Sequence, residues 1–193
     1  MTAAMQVDLQ GVSVSLRGDD NPIAAALSTA LRGNGATLDA RPDPDMLILS
    51  FPLLPTEEPG VEPLLAQAES TGEIMARRGH GRILCIVSAA AGMPMRRHPV
   101  YSLRMASVLT AVRTLAMRLG PHVLVNAVGV GAVGEPLVAG DAAMLDHASV
   151  KRPGSIAEVV DTALFFADPL NTYTTGQMLS VDGGWTAGYG RNF

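Results

Sequence analysis

Few residues in this sequence stand where a ligand or a reaction could use them. Arg96-Arg97-His98 groups two guanidinium cations and an imidazole in consecutive positions, a set able to grip a phosphate or carboxylate and equally suited to a solvated loop. Asp19-Asp20 sets two carboxylates side by side, fit for a cation, for a partner's basic loop or for a solvated turn. Ser88 and Tyr101 supply a hydroxyl and a phenol thirteen positions apart. A phenol of ordinary pKa, about 10, becomes a useful base at neutral pH only beside a cation. His80, His122 and His147 show no metal-ligand spacing and are expected at the surface. Cys85 stands alone, which excludes a disulfide framework and a Cys-based zinc site, and its mid-strand position implies a buried, inert thiol.

The elements that must position these groups alternate between strand and helix. Apolar runs at 12–16, 45–50, 82–87, 122–128 and 177–181 read as strands, and those at 45–50 and 82–87 lack alternation, as buried parallel strands do. Helices are expected over 23–32, 61–78, 101–119 and from 155 to about 166, the last opened by the capping box Ser155-Ile156-Ala157-Glu158. Pro22 suits the first turn of the first helix, and Gly33-Asn34-Gly35 closes it. The pattern predicts an α/β fold, Rossmann-like, with a mainly parallel sheet of about five to six strands and helices on both faces. Only 36–44 separates the first helix from the strand at 45, too little for two passes along a sheet at roughly 3.3 Å per residue. A strand stub at 36–39 and a direct pass into the next strand are therefore expected.

Composition narrows the classes. The 193 residues carry 14 basic against 18 acidic groups, a formal charge of −4, with no basic run, which argues against nucleic acid as a partner. At 48% hydrophobic and 17% charged, the chain can bury a core and is not disordered. No stretch reaches the ~18 uninterrupted apolar residues of a membrane span, and MTAAMQVDLQ lacks the pattern of a secretory leader, so a cytoplasmic protein away from membranes is expected. With no repeat or linker, residues 1–193 read as a single domain.

The second half resembles the short-chain dehydrogenase/reductase (SDR) family. Ser88 and Tyr101 have that family's catalytic Ser–Tyr spacing, Asn126-Ala127-Val128 resembles its N-A-V segment, and Arg152-Pro153-Gly154 with Ile156-Ala157-Glu158-Val159 resembles the start of its late helix. The segment 175–184, TGQMLSVDGG, resembles its C-terminal T-G-Q-x-L-x-V-D-G-G. Together these cover roughly residues 80–185 in the right order. The resemblance implies a Rossmann-type domain, an NAD(P) cofactor, and hydride transfer between nicotinamide and a carbonyl or alcohol. In the family the Tyr is the acid/base, a Lys four positions on lowers its pKa, the Ser holds the substrate oxygen and an Asn supports a proton relay.

Carried over residue by residue, much of that set is missing. Met105 stands where the family has Lys, Arg104 lies about 100° around the helix, and the Asn position falls on Gly60. The family's T-G-x-x-x-G-x-G corresponds to Arg17-Gly18-Asp19-Asp20-Asn21-Pro22-Ile23-Ala24, where Gly18 alone remains as a remnant of the cofactor turn. Pro22 removes an N–H, Ala24 adds a methyl, and Asp19 and Asp20 bring like charge toward a diphosphate. The family's N-N-A-G becomes Leu49-Ser50-Phe51-Pro52, and its P-G-x-I-x-T becomes residues 130–135, VGAVGE. The chain is also shorter than a usual member by more than one βαβ unit of ~30 residues, so the family's third strand and its flanking helices are expected to be absent.

The leading expectation is a non-catalytic (pseudoenzyme) SDR-family subunit, with Ser88 and Tyr101 as remnants of the catalytic pair and no cofactor and no metal. It would assemble as a hetero-oligomer with a catalytically complete SDR homologue, or as a homo-oligomer, through the helices at 61–78, 101–119 and 155–166 and the strand at 177–181. A second expectation is a divergent NAD(P)-dependent oxidoreductase acting through Ser88 and Tyr101, with a cation from Arg104 or a partner chain. A third is a small-molecule or acyl-CoA binding module near Arg96 and Arg97. Met105 is expected to pack in an apolar stripe, and Trp185 to sit at a subunit contact or in ordinary partial burial.

Overall fold

The computed structural model describes residues 5–39, 41–55 and 59–188. Its strands are β1 (Ser13–Gly18), β2 (Thr37–Leu38), β3 (Met46–Ser50), β4 (Gly81–Ser88), β5 (Val123–Val130) and β6 (Met178–Val181). They form one sheet in the order β2-β1-β3-β4-β5-β6, and every neighbouring pair is parallel. This is the Rossmann-like α/β architecture that the alternation of elements predicts. The expected stub is the two-residue β2, after which the chain passes directly to β3.

The helices are α1 (Pro22–Gly33), α2 (Glu62–Arg78), α3 (Pro99–Leu119), α4 (Ala143–His147) and α5 (Ile156–Ala167). α1 packs against α5 on one face of the sheet, and α2 against α3 on the other. β3 is buried along its whole length, and burying each of its Met, Leu and Ile side chains contributes roughly 1.5–3 kcal/mol. The capping box at α5 is formed as read: Ser155 Oγ accepts from the Glu158 N–H, and the Glu158 carboxylate accepts from the Ser155 N–H at 2.7 Å. Gly79, at φ 91°, ends α2 by donating its N–H to the carbonyls of Met75 and Ala76. The short α4 was not apparent in the sequence. β1 also runs two residues further than the pattern indicates, because Arg17 and Gly18 pair with Leu49 and Ser50.

At the N-terminal end of the sheet a polar latch joins β1 to the residue preceding β3. Asp45 Oδ2 accepts from the Ser13 N–H (2.9 Å) and hydroxyl (2.7 Å), while the Asp45 N–H donates to Ser13 Oγ at 2.9 Å. Arg78, in the last turn of α2, lies 3.5 Å from Asp45 Oδ1 and donates to the Asp43 and Pro44 carbonyls. Partial burial raises the Asp45 pKa, but the Ser13 hydrogen bonds, with Arg78 and His80, outweigh it and hold the carboxyl below its ordinary value.

A carboxyl whose folded pKa is depressed adds stability above its unfolded pKa, and that stability is lost as pH falls through the folded one. Asp45→Asn is therefore expected to cost about 1–3 kcal/mol at pH 7 in urea melts and to flatten the acid limb of stability below about pH 4. An unchanged acid limb would show that the latch contributes nothing to it.

Candidate functional site

The order of the sheet places a topological switch point between β1 and β3, since the chain leaves β1 toward one edge and β3 toward the other. In open α/β sheets the crevice at such a point, outside the carboxyl ends of the strands, is where a dinucleotide lies. Gly18 and Ser50 mark those ends here. Gly18 has φ 105°, and a Cβ on it would stand 2.1 Å from the Ser50 carbonyl oxygen. The close approach of β1 to β3 alone therefore requires this glycine.

The start of α1 is already satisfied from within. Asn21 is the N-cap, and its side-chain oxygen accepts from the N–H groups of Ile23 and Ala24, each at 3.0 Å. Pro22 at the first helical position has no N–H to offer. The Asn21 amide donates to Ser50 Oγ at 3.0 Å, and the Asp19 N–H donates to the Ser50 carbonyl at 2.8 Å, fixing the turn against β3. A cavity of about 330 Å³ flanks the turn, but Asp19 and Asp20 are among its lining residues.

Beyond Ser50 the chain forms a strap tied at two points. The Phe51 N–H donates to Ile86 of β4 at 2.9 Å, and the Leu53 carbonyl accepts from the Gly140 N–H at 2.9 Å. Leu53 is buried in the same apolar cluster as Ile23, Val133 and Ala139. Between these ties, the Pro52 carbonyl accepts the hydroxyl of Tyr101 at 2.7 Å.

Ser88 and Tyr101 do come together. Ser88 ends β4 and caps the 3-10 turn Ala89–Ala91, its Oγ accepting from the Ala90 N–H at 3.1 Å, and Tyr101 lies in the first turns of α3. Both side chains are buried. Burial pushes the Tyr101 phenol up to about 12; the neighbouring Ser88 hydroxyl works against this, and the charge of Asp19 adds to it. Met105 is fully buried in the apolar stripe, as expected. Arg104 turns outward and pairs with Glu62 of α2. Lys151 is the only lysine of the sequence, and its ammonium donates to the Asp146 carbonyl at 3.1 Å. Buried Asn126 bridges β5 to the segment before β6, donating to the Thr174 carbonyl at 2.7 Å and accepting from the Gln177 N–H at 3.1 Å. Gly60 lies where nothing approaches within 4 Å of a built Cβ.

A nicotinamide dinucleotide needs free N–H groups at the start of the helix, room over the turn and a base beside the reacting carbon. The residues present do not fit it. Asn21 already takes the N–H groups of Ile23 and Ala24, Pro22 offers none, Asp19 and Asp20 line the adjoining cavity, and burial holds the phenol neutral.

The other residues singled out by type fall elsewhere. Arg96 and Arg97 are exposed on the segment leading into α3, and His98 Nε2 lies 3.1 Å from Asp141 Oδ2. Asp19 and Asp20 are exposed, as are His80, His122 and His147. Burial pushes the Cys85 thiol up to about 12, which keeps it unreactive. Trp185 is buried within the chain beside Met95 and Met144. Among the described residues no group of His, Cys, Asp and Glu could hold a metal ion. Asn21 was readable as a helix cap, whereas Pro52, Leu53 and Asp141 carry no signal in the sequence.

The family match covers the part of the chain that carries the motifs, and the structural likeness extends over most of the chain. The family described as Enoyl-(Acyl carrier protein) reductase matches residues 62–186. A short-chain reductase protein, NovJ, of Streptomyces niveus is 36% identical over 129 residues, 60% of this chain and 48% of that protein. The L-xylulose reductase of Bos taurus is 34% identical over 124 residues, 59% of this chain and 50% of that protein. The chain spans about half the length of the curated relatives it matches. Among solved structures, a short chain dehydrogenase/reductase family protein superposes with a TM-score of 0.75 at 21% identity, covering 94% of this chain and 100% of that one. A gluconate 5-dehydrogenase of Burkholderia cenocepacia, solved with NADP and tartrate, gives 0.75 at 18% identity, covering 94% and 97%. Fold, motif order and family match agree: the chain belongs to the short-chain dehydrogenase/reductase family.

Proposed function

We propose that this chain is a non-catalytic member of its family, a single-domain cytoplasmic subunit that assembles with a catalytically complete short-chain dehydrogenase/reductase. One observation carries the reading. The hydrogen-bonding groups that a dinucleotide and a reacting carbonyl would use are engaged within the chain, the start of α1 by Asn21 and the Tyr101 hydroxyl by Pro52. The proposed assembly surfaces are α2 with α3, and α5 with β6. Exposed apolar side chains on them favour this: Leu103 and Met117 on α3, Phe165 on α5 and Leu179 on β6. Homo-oligomers through the same surfaces are the fallback.

A second reading is a divergent NAD(P)-dependent oxidoreductase that uses Ser88 and Tyr101 on a carbonyl or alcohol. It is favoured by the names of relatives, among them an L-xylulose reductase and a 7alpha-hydroxysteroid dehydrogenase of Escherichia coli. It requires Asn21 to release the start of α1, Pro52 to release the Tyr101 hydroxyl, and a cation to reach the phenol.

Purified alone, the protein is expected to give no saturable NADH or NADPH signal, by fluorescence or calorimetry, at sub-millimolar cofactor. Binding with a Kd below about 0.1 mM would overturn the leading reading. Capture from the native host, with mass determination, is expected to return a relative that retains Lys four positions after its catalytic Tyr.

Tyr101 offers a separate check. A phenol whose folded pKa is raised above its unfolded value contributes stability that is complete below about pH 10 and lost as pH rises toward about 12. Spectrophotometric titration is expected to show a phenolate step near that upper value, absent in Tyr101→Phe. Losing the bond to Pro52 is expected to cost about 1 kcal/mol at pH 7. A phenolate step near neutrality, together with carbonyl turnover abolished in Tyr101→Phe, would establish the oxidoreductase instead.

A further inference from the structure

We infer that the hollow at the end of the sheet where the strands begin binds a phosphoryl group, as bare phosphate or as a small phosphomonoester, between Arg82, His80 and His122. It lies beside the starts of β3, β4 and β5 and against the turn that follows α5. It holds about 300 Å³, at the lower bound of the roughly 300–1,000 Å³ of small-molecule sites. Gly18, Ser50 and Ser88 close the opposite ends of their strands, so a ligand here is remote from the turn and the Ser–Tyr pair inherited from the family.

Arg82 is the residue that points to a ligand. Its half-buried guanidinium closes the end of α5, Nη1 donating to the carbonyls of Asn171 (2.8 Å) and Phe166 (3.4 Å), and Nη2 to that of Pro169 (3.1 Å). Among the described residues its remaining N–H donors have no acceptor, and no carboxylate forms an ion pair with it. Burial lowers its pKa and outweighs the opposing charge of Asp168. Buried cations are ordinarily paired, and neutral carbonyls satisfy donors without supplying a counter-charge.

Two imidazoles complete the polar lining. His80 and His122 precede Gly81 and Val123, which pair across β4 and β5, so the two stand level on neighbouring strands. Both are exposed, and the His122 ring makes no hydrogen bond or ion pair with the described residues. His80 Nδ1 lies 3.9 Å from Oδ1 of Asp45, whose carboxylate also lines the hollow. That opposing charge is committed to Ser13 and Arg78. Imidazole and guanidinium donors reaching in from neighbouring strands suit the several oxygens of a tetrahedral phosphoryl group. Val12, Met46 and Leu124 give the hollow an apolar side able to carry the body of a monoester.

The chain has 4 histidines, and they divide between two places: His80 and His122 line this hollow, His98 and His147 the cavity beside α4. Proton–carbon NMR spectra of the imidazoles therefore locate a ligand as well as detect it. Phenyl phosphate, inorganic phosphate, phenol and phenyltrimethylammonium are the probes. Both phosphates are expected to shift the His80 and His122 signals saturably, leaving His98 and His147 unmoved, with a calorimetric Kd below about 1 mM. Phenol and the ammonium compound are expected to bind at least about tenfold more weakly. The order of the two phosphates distinguishes a monoester from the bare ion. His80→Gln with His122→Gln is expected to weaken phosphate binding by about fivefold or more at an unchanged melting temperature. Arg82→Gln is expected to abolish binding and also to lower the melting temperature, because the same side chain closes α5; the histidine variant keeps the test independent of folding. No saturable binding up to about 10 mM phosphate, shifts at His98 and His147 instead, equal binding of phenol or the ammonium compound, or unaltered affinity in the histidine variant would overturn the assignment. None of these outcomes depends on NAD(P)H binding or on a partner chain, so this inference and the proposed function stand or fall separately.

Discussion

Backbone N–H groups at the head of a helix can be satisfied by a cap or by an anion, and the same donors cannot serve both. Asn21 takes the N–H groups of Ile23 and Ala24, and its amide reaches across to Ser50. That choice stabilises α1 by an amount typical of a good cap, about 1 kcal/mol, and fixes the turn against β3. A diphosphate would have to break these bonds before making its own, at a helix start where Pro22 has withdrawn a donor and two carboxylates stand close by. Directly after β3, the Phe51 N–H is tied to Ile86 and the Leu53 carbonyl to Gly140.

The strap and Tyr101 then support each other. Pro52 presents a carbonyl to the phenol, and the ties of Phe51 to Ile86 and of Leu53 to Gly140 hold that carbonyl in place. A buried hydroxyl with a fixed acceptor is a structural hydrogen bond, and its burial opposes ionisation. Met105 completes the change: the position four residues on from the phenol contributes packing to the α2/α3 side of the sheet and no charge. Family membership and an altered site are compatible, because the sheet depends on apolar burial and parallel pairing, whereas activity depends on a few polar groups.

Most of the fold was legible in the sequence, because buried parallel strands appear as apolar runs and helix starts carry their own side-chain signals. The capping box at Ser155, the proline at the head of α1 and the brevity of residues 36–44 all led to the observed elements. α4 was not legible, since five residues are too few to display a helical period. The site was legible in part. Met105 and the loss of glycines announced that something had changed, but what replaced them involves backbone acceptors far along the chain. Tyr101 and Pro52 lie 49 positions apart, and His98 and Asp141 are separated by 43. A carbonyl oxygen is common to every residue type, so no sequence pattern marks Pro52 as the partner of a phenol.

The two margins of the sheet are unequal. On one, β2 is only two residues long, too brief a ladder to recruit a foreign strand; on the other, β6 presents four residues with Leu179 open to solvent. End-to-end strand addition needs a ladder at both margins, and among the described residues the β2 margin is too short to supply one.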